Sequence, residues 1–231
     1  MPVRINKYLA DHNYCTRREA DTLIAAGKVF VNGISAVIGQ KVSERDTVEV
    51  RAAPRAYRYY AYHKPRGVIT HSPQLGEKDI AASTKLPGVF PVGRLDKDSH
   101  GLIVLTDDAR VTDRLLSPGR EHDKEYRVAT TQVLTNRFKE RMEKGVDIGG
   151  YTTKPCRVRL GGQKSFFITL TEGKKHQIRR MCAALRVDIR DLERTRIMNI
   201  HLGDLAVGTH RRIEGAELAE FLQKLGLAAA R

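Results

Sequence analysis

What this chain lacks narrows its possible roles first. No apolar run approaches the roughly 20 residues that a bilayer-spanning helix requires. The start, Met1-Pro2-Val3-Arg4-Ile5-Asn6-Lys7, has no apolar signal-peptide core. The three cysteines, Cys15, Cys156 and Cys182, are odd in number, scattered, and form no Cys-x-x-Cys pair. Neither a disulfide framework nor a cysteine-built zinc site is expected from them, and the expectation is a protein of the reducing cytoplasm, away from membranes. There is no internal repeat and no low-complexity segment. Acidic residues are scarce: 27 Asp and Glu against 41 Lys and Arg leave a net charge of +14. That imbalance favours a polyanionic partner, most simply nucleic acid, over an ordinary solvated surface.

What is present allows a folded core. Of 231 residues, 41% are hydrophobic, enough for a small domain followed by a larger one. Residues 1–52 read as self-contained. Ile5, Tyr8 and Leu9 recur at helical spacing. Thr16-Arg17-Arg18-Glu19 has the form of a capping box, in which Thr accepts from an N3 amide while Glu reaches back. The helix it opens runs through Ala20, Leu23 and Ile24 to a stop at Gly27. Val29-Phe30-Val31 reads as a strand, Asn32-Gly33 as a tight hairpin turn, and Thr47-Val48-Glu49-Val50 as a closing strand. Arg51 to Ala56, with Pro54, reads as a linker.

From Tyr57 to Arg231 strand-like and helix-like pieces alternate. Tyr57–His63 reads as a strand with Arg58, Tyr60 and Tyr62 on one face and Tyr59, Ala61 and His63 on the other. Further strands are expected at 68–70, 103–106 and 125–129, with a hairpin of 157–160 and 166–170 turning at Gly161-Gly162. Helices are expected at 111–116 (stopping before Pro118), 136–144 (ended by Gly145), 175–185 and 216–225. Meander-like strands with interspersed helices predict an α+β domain with a mainly antiparallel mixed sheet flanked by helices.

The segment most informative about chemistry is Gly93-Arg94-Leu95-Asp96-Lys97-Asp98-Ser99-His100-Gly101-Leu102, which leads into the apolar Ile103-Val104-Leu105. Asp96 lies between two cations in a turn that feeds a strand, and a carboxylate so placed can act as a nucleophile or a base. From turn chemistry alone the same residues also read as a polar turn. Arg94-Leu95-Asp96 with Gly101-Leu102 resembles the active-site motif of RNA pseudouridine synthases, and Phe90-Pro91-Val92-Gly93 and Leu105-Thr106-Asp107 fit the RsuA-type family. Three other stretches extend the resemblance in order: Lys64-Pro65-Arg66-Gly67, Lys124-Glu125-Tyr126-Arg127-Val128, and Glu172-Gly173-Lys174-Lys175-His176-Gln177-Ile178-Arg179-Arg180-Met181. Residues 1–52 resemble the small αL RNA-binding module called the S-four domain, in their order of helix, Thr-Arg-Arg-Glu-Ala, helix and Gly-x-Val-x-Val-Asn-Gly.

The resemblance implies an S-four-like domain at 1–52 and a pseudouridine synthase domain at 57–231. It implies that Asp96 is the catalytic residue, that Tyr126 stacks on the uracil, and that Arg179 pairs with Asp96. Arg94 is implied to fill the space left by the flipped nucleotide. Arg4, Lys7, Arg17, Arg18, Lys28 and Asn32 are implied to face RNA phosphates. No cofactor and no metal are implied. The stretch Leu192-Glu193-Arg194-Thr195-Arg196-Ile197-Met198-Asn199-Ile200 is most similar to the RluF-like branch, whose substrates are large-subunit ribosomal RNA and a tRNA anticodon uridine. Lys174-Lys175-His176 departs from the Asn-Arg that relatives carry before the Gln. The expected partner is therefore large-subunit ribosomal RNA, bound by a monomer. Two rival readings are a non-catalytic RNA-binding assembly factor, which would lack the Asp or the Tyr, and a glycosidase using Asp96 and Asp98. Two such close carboxylates would repel each other, and a glycosidase does not explain the charge of +14.

Overall fold

A computed structural model describes residues 1–12, 14–52, 56–72, 74, 76–117 and 119–227. The expected linker residues Ala53, Pro54 and Arg55, and the helix-stopping Pro118, lie outside them. The chain divides into two compact units: Met1–Tyr57 with Asp108–Arg114 and Leu222–Arg231, and Arg58–Asp107 with Leu115–Phe221.

In the first unit β1 (Val3–Arg4) leads into α1 (Ile5–Asp11), and α2 spans Arg17–Ala25. Then follow β2 (Val29–Val31), β3 (Ile34–Ser35), β4 (Lys41–Val42) and β5 (Val48–Val50). The capping box forms: Thr16 Oγ1 accepts from the Glu19 amide at 3.2 Å, and Glu19 Oε2 accepts from the Thr16 amide at 2.9 Å. Asn32 and Gly33 both have positive φ, +50° and +81°, which is what a two-residue β-hairpin turn requires. Ile5, Leu9, Ala20, Ile24, Val29 and Val42 make the buried core.

The second unit is built on one nine-stranded sheet. Its strands are β6 (Tyr59–Lys64), β7 (Phe90–Val92), β8 (His100–Thr106), β9 (Lys124–Thr130), β10 (Arg157–Gly162), β11 (Ser165–Leu170), β12 (Ile189–Ile197), β13 (Ile200–His201) and β14 (His210–Arg212). The main order is β10-β11-β9-β12-β8-β6-β14, with β13 on β12 and β7 on β8. Every pairing is antiparallel except β12 with β8. The later helices in chain order are α3 (Ile80–Thr84), α4 (Ala109–Leu116), α5 (Asn136–Glu143), α6 (Gln177–Ala184) and α7 (Gly215–Lys224); α3, α5 and α6 lie within the second unit, most of α4 belongs to the first, and α7 belongs to the second up to Phe221. Phe138 and Met142 of α5 and Ile178, Met181 and Cys182 of α6 pack on Val128, Phe166 and Ile168 of the sheet. Ile80 of α3 packs with Tyr60, Tyr62, Ile103 and Leu105.

Four sequence expectations are corrected. The segment at 68–70 is not a strand: Ile69 makes only a bridge to Asp79, its amide and carbonyl engaging Lys78 and Ile80. Strand β6 begins at Tyr59, not Tyr57, and extends to Lys64, buried on both faces. The hairpin turn falls at Gln163-Lys164, because a bulge between Leu160 and Gly162 carries the Gly-Gly pair into the strand. The central strand β12 was not expected as a strand at all. Its middle residues are Glu193 and Arg194, both buried, so the alternation of apolar and polar residues that marks a strand is missing.

Candidate active site

The Asp96 loop sits at a seam. Strand β8 pairs along one edge with β6, and on the other with β7 at Val104–Thr106 and with β12 at His100–Gly101. The chain leaves β7 at Val92 and enters β8 at His100, so residues 93–99 lie where these pairings meet. Several contacts fix the loop. The buried Thr70 hydroxyl donates to the Leu95 carbonyl at 2.9 Å and accepts from the Leu95 amide at 3.1 Å. The Gly67 amide donates to the Lys97 carbonyl at 2.9 Å, and the Ser99 amide to the Asp96 carbonyl at 3.1 Å. This explains the Lys64-Pro65-Arg66-Gly67 turn, whose glycine (φ +79°) brings its amide to the loop.

Below the loop lies a cleft of about 860 Å³, large enough for a nucleotide. Nine lysines and arginines line it, against two carboxylates, Asp96 and Glu172. The Asp96 side chain is about one-third exposed (37%), and its Oδ1 lies 3.5 Å from Nε2 of His176. Tyr126 comes from β9 and Arg194 from the paired position on β12. The Arg194 guanidinium lies 6.0 Å over the Tyr126 ring. Arg194 is 3% exposed and, among the described residues, has no carboxylate partner: Nε donates to the Leu102 carbonyl at 2.6 Å and Nη1 to the Arg94 carbonyl at 3.4 Å, while Nη2 is buried with no partner among them. Burial, reinforced by the charge of Arg194 and partly offset by Asp123, pushes Lys124 down to about 8. Burial does the same to Lys64, also to about 8, opposed by the charges of Asp96 and Asp98.

The third motif stretch forms a closed network. Gln177 is buried at the start of α6; its Oε1 accepts from the Lys174 amide at 2.9 Å and its Nε2 donates to Glu172 Oε1 at 2.7 Å. Glu172 Oε2 accepts from the Tyr151 hydroxyl at 2.6 Å, a bond that raises the Tyr151 pKa, with burial adding to it. His176 precedes α6 in a left-handed conformation, φ +52°, which turns its ring toward Asp96.

The structure thus brings Asp96, Tyr126, Arg179 and Arg94 to one cleft. Arg179 does not pair with Asp96 as the resemblance implied. Its Nη2 donates to the Asp98 carbonyl at 3.2 Å and to Ser99 Oγ at 3.1 Å, gripping the loop two residues further on. Arg94 is exposed and its side chain makes no hydrogen bond or ion pair among the described residues. Arg4, Lys7, Arg17, Arg18 and Lys28 belong to the first unit; all five are exposed and none has an ion-pair partner among the described residues. Asn32 differs from them, since its amide is engaged within the module, donating to Asp46 Oδ1 and accepting from the Thr47 amide, both at 2.9 Å. Sequence reasoning missed Arg194, His176 and Thr70 as site residues. Gly101 was the available signal for Arg194, being a glycine required where two backbones meet.

The sequence profile of the RNA pseudouridylate synthase family matches residues 58–184, and that of the S4 domain residues 3–48. The dual-specificity RNA pseudouridine synthase RluF of Escherichia coli K12 is 39% identical over 96% of this chain and 79% of its own. The ribosomal small subunit pseudouridine synthase A of Vibrio cholerae is 30% identical over 94% of this chain and 98% of its own. A crystal structure of a pseudouridylate synthase superposes with a TM-score of 0.69 at 25% identity, covering 96% of this chain and 99% of the other. With the Asp96 loop, the cationic cleft and the N-terminal S4 domain already in place, these likenesses assign the chain to the RsuA/RluF-type RNA pseudouridine synthases.

Proposed function

We propose that this enzyme isomerises uridine to pseudouridine at defined positions of 23S large-subunit ribosomal RNA, acting as a monomer in the cytoplasm. The observation that supports this reading best is Asp96, a half-open carboxylate on a pinned loop in an otherwise cationic cleft. Isomerisation breaks the bond from N1 to C1′, turns the base and joins C5 to C1′. C5 gives up its proton to solvent and N1 takes one up, so atoms and electrons balance and no redox partner is consumed. A carboxylate can serve by adding covalently to sugar or base, or by taking a sugar proton; both roles need Asp96 aimed at the nucleotide. The cleft cations hold the flanking phosphates, and Tyr126 stacks on the uracil. Flipping the nucleotide costs a few kcal/mol, which Arg94 offsets by occupying the gap. Residues 1–52 form the RNA-binding domain that orients the substrate, and 57–231 the catalytic domain.

The dual specificity named for the E. coli relative favours a second substrate, which we take to be a tRNA anticodon uridine. The three free cysteines suit a reducing compartment: burial pushes the Cys156 and Cys182 thiols up to about 12. Among the described residues no helix is long and apolar enough to cross a membrane. The deciding experiment maps pseudouridines in total RNA from cells with and without the protein. Loss of 23S positions is the expected result. Loss in small-subunit RNA alone would overturn the substrate assignment, and no loss anywhere would leave a non-catalytic assembly factor.

A further inference from the structure

The sheet face turned away from the cleft carries a second polar cluster that the isomerisation does not use. Glu193 pairs with His100 across the parallel seam, and Arg194 with Gly101. Successive strand residues alternate faces, so Glu193 and His100 point away from the cleft lined by Arg194 and Tyr126. His63 pairs with Leu102, two residues beyond His100, and so shares that face. His63 Nε2 lies 3.3 Å from His100 Nδ1, and Glu193 Oε1 lies 3.8 Å from the first and 3.7 Å from the second. All three side chains are largely buried, at 7%, 14% and 10% exposed.

The outer contacts of the two rings fix their protons. His63 Nδ1 lies 2.8 Å from the Leu205 carbonyl, which can only accept, so Nδ1 carries the hydrogen. His100 Nε2 lies 2.8 Å from Asp191 Oδ1, a carboxylate also gripped by Arg66, so Nε2 carries the hydrogen. In the neutral rings the two nitrogens that face each other are therefore bare lone pairs. Glu193 Oε1 adds a third acceptor, while its other oxygen is held by Arg127 at 2.9 Å. Three converging acceptors with no donor among them repel one another unless a cation lies between them.

We infer that His63, His100 and Glu193 form a binding site for a divalent transition-metal ion of the zinc class. A tetrahedral ion with bonds near 2.1 Å sets its ligand atoms roughly 3.4 Å apart, and the three observed separations need only small side-chain closure to reach that. The nitrogen donors disfavour magnesium and calcium. The outer shell has the composition typical of metal-bound histidines, one ring donating to a carboxylate and the other to a backbone carbonyl. Water supplies the fourth ligand. The ion joins β6, β8 and β12, and His100 is the first residue after the Asp96 loop, so the site staples the seam that carries the loop.

The test titrates the full-length protein, freed of metal by a chelator, with Zn²⁺ alone and with Co²⁺ alone. One equivalent should bind. Co²⁺ should give the intense visible bands of a four-coordinate ion, and Zn²⁺ should raise the thermal midpoint. His63→Asn with His100→Gln, and separately Glu193→Gln, should lose at least about 100-fold in affinity. Asp191→Asn, which leaves all three ligands in place, should lose about 10- to 100-fold. A readout independent of variants is the ¹⁵N spectrum of the wild-type imidazoles, in which Zn²⁺ should shift His63 Nε2 and His100 Nδ1. The absence of saturable binding by the wild type would overturn the proposal. So would binding that survives the double substitution, or rings that share an extra proton and ignore Zn²⁺.

Discussion

Gly101 lies against the backbone of Arg194. A Cβ at residue 101 would stand 2.4 Å from the Arg194 carbonyl oxygen and 2.5 Å from its amide nitrogen, and the glycine has φ +107°. Both the contact and the conformation exclude a side chain. The consequence reaches the active site, because this close approach is the parallel seam that sets Arg194 beneath the Asp96 loop. Gly101→Ala should destabilise the protein by about 3 kcal/mol or more, read from urea unfolding. Activity should fall further than stability alone explains, with kcat reduced even where the variant is still folded. A variant of wild-type stability would show that the seam tolerates separation.

Asp96→Asn removes the charge and nearly keeps the shape. Turnover should drop by at least about 10³-fold, measured as tritium release from RNA labelled at uridine C5, while RNA affinity holds within a few-fold. Tyr126→Phe keeps the stacking face and should bind normally with impaired turnover. Appreciable turnover by the Asn variant would remove Asp96 from the chemistry.

Arg179 grips the Asp98 carbonyl and the Ser99 hydroxyl, and reaches Asp96 only through the loop. Ser99→Ala should therefore reproduce part of the defect of Arg179→Ala in single-turnover rate, and the double variant should be no worse than Arg179→Ala alone. Additive losses would mean that Arg179 acts directly on the nucleotide.

How much of this was legible in the sequence depended on whether a residue's environment is local. Thr16 and Glu19 announce their helix because a cap is a contact across three residues. Asn32-Gly33 announces its turn because the backbone conformation is a property of those two residues. Asp96, Tyr126 and Arg179 were legible only through motif resemblance. The ring of His176 meets Asp96 because residue 176 adopts a left-handed conformation, and neighbouring residues do not encode that. Strand β12 was hidden because its middle residues are buried polar ones. Arg194 lines the cleft and Glu193 sits on the opposite face, so neither face is apolar throughout and hydrophobic periodicity could not mark the strand. The partners of His63, namely His100, Glu193 and the Leu205 carbonyl, come from three distant segments that only the sheet topology joins.

Lys124 gives a pH signature. Burial chiefly holds its folded pKa at about 8, well below the 10.5 usual for a lysine. Between these values the unfolded chain binds more protons than the native protein, so this group makes stability rise with pH across that window. Lys124→Met should lack that rise, seen as a wild-type-minus-variant difference in unfolding free energy that grows from pH 8 to pH 10. Lys124 also lines the cleft, so wild-type RNA affinity should weaken more steeply than that of the variant above pH 8. Parallel curves would place the Lys124 titration outside this range.

The five cations of the S4 domain should act on affinity rather than chemistry. Arg4, Lys7, Arg17, Arg18 and Lys28 are exposed and have no carboxylate partner among the described residues, and the cleft is lined wholly by residues of the second unit. Each phosphate contact releases condensed counterions, so log K falls with log salt by about 0.7 to 0.9 per contact. Replacing the five by Gln should flatten the slope by up to about 3.5 to 4.5, the most that five contacts can contribute. KM should rise at moderate salt, while kcat at saturating RNA should hold near the wild-type value because Asp96 and its loop are untouched. Binding titrations of both proteins on one RNA stem-loop across a salt series measure this directly. An unchanged slope would mean that these cations face solvent in the complex and that the catalytic domain carries RNA recognition by itself.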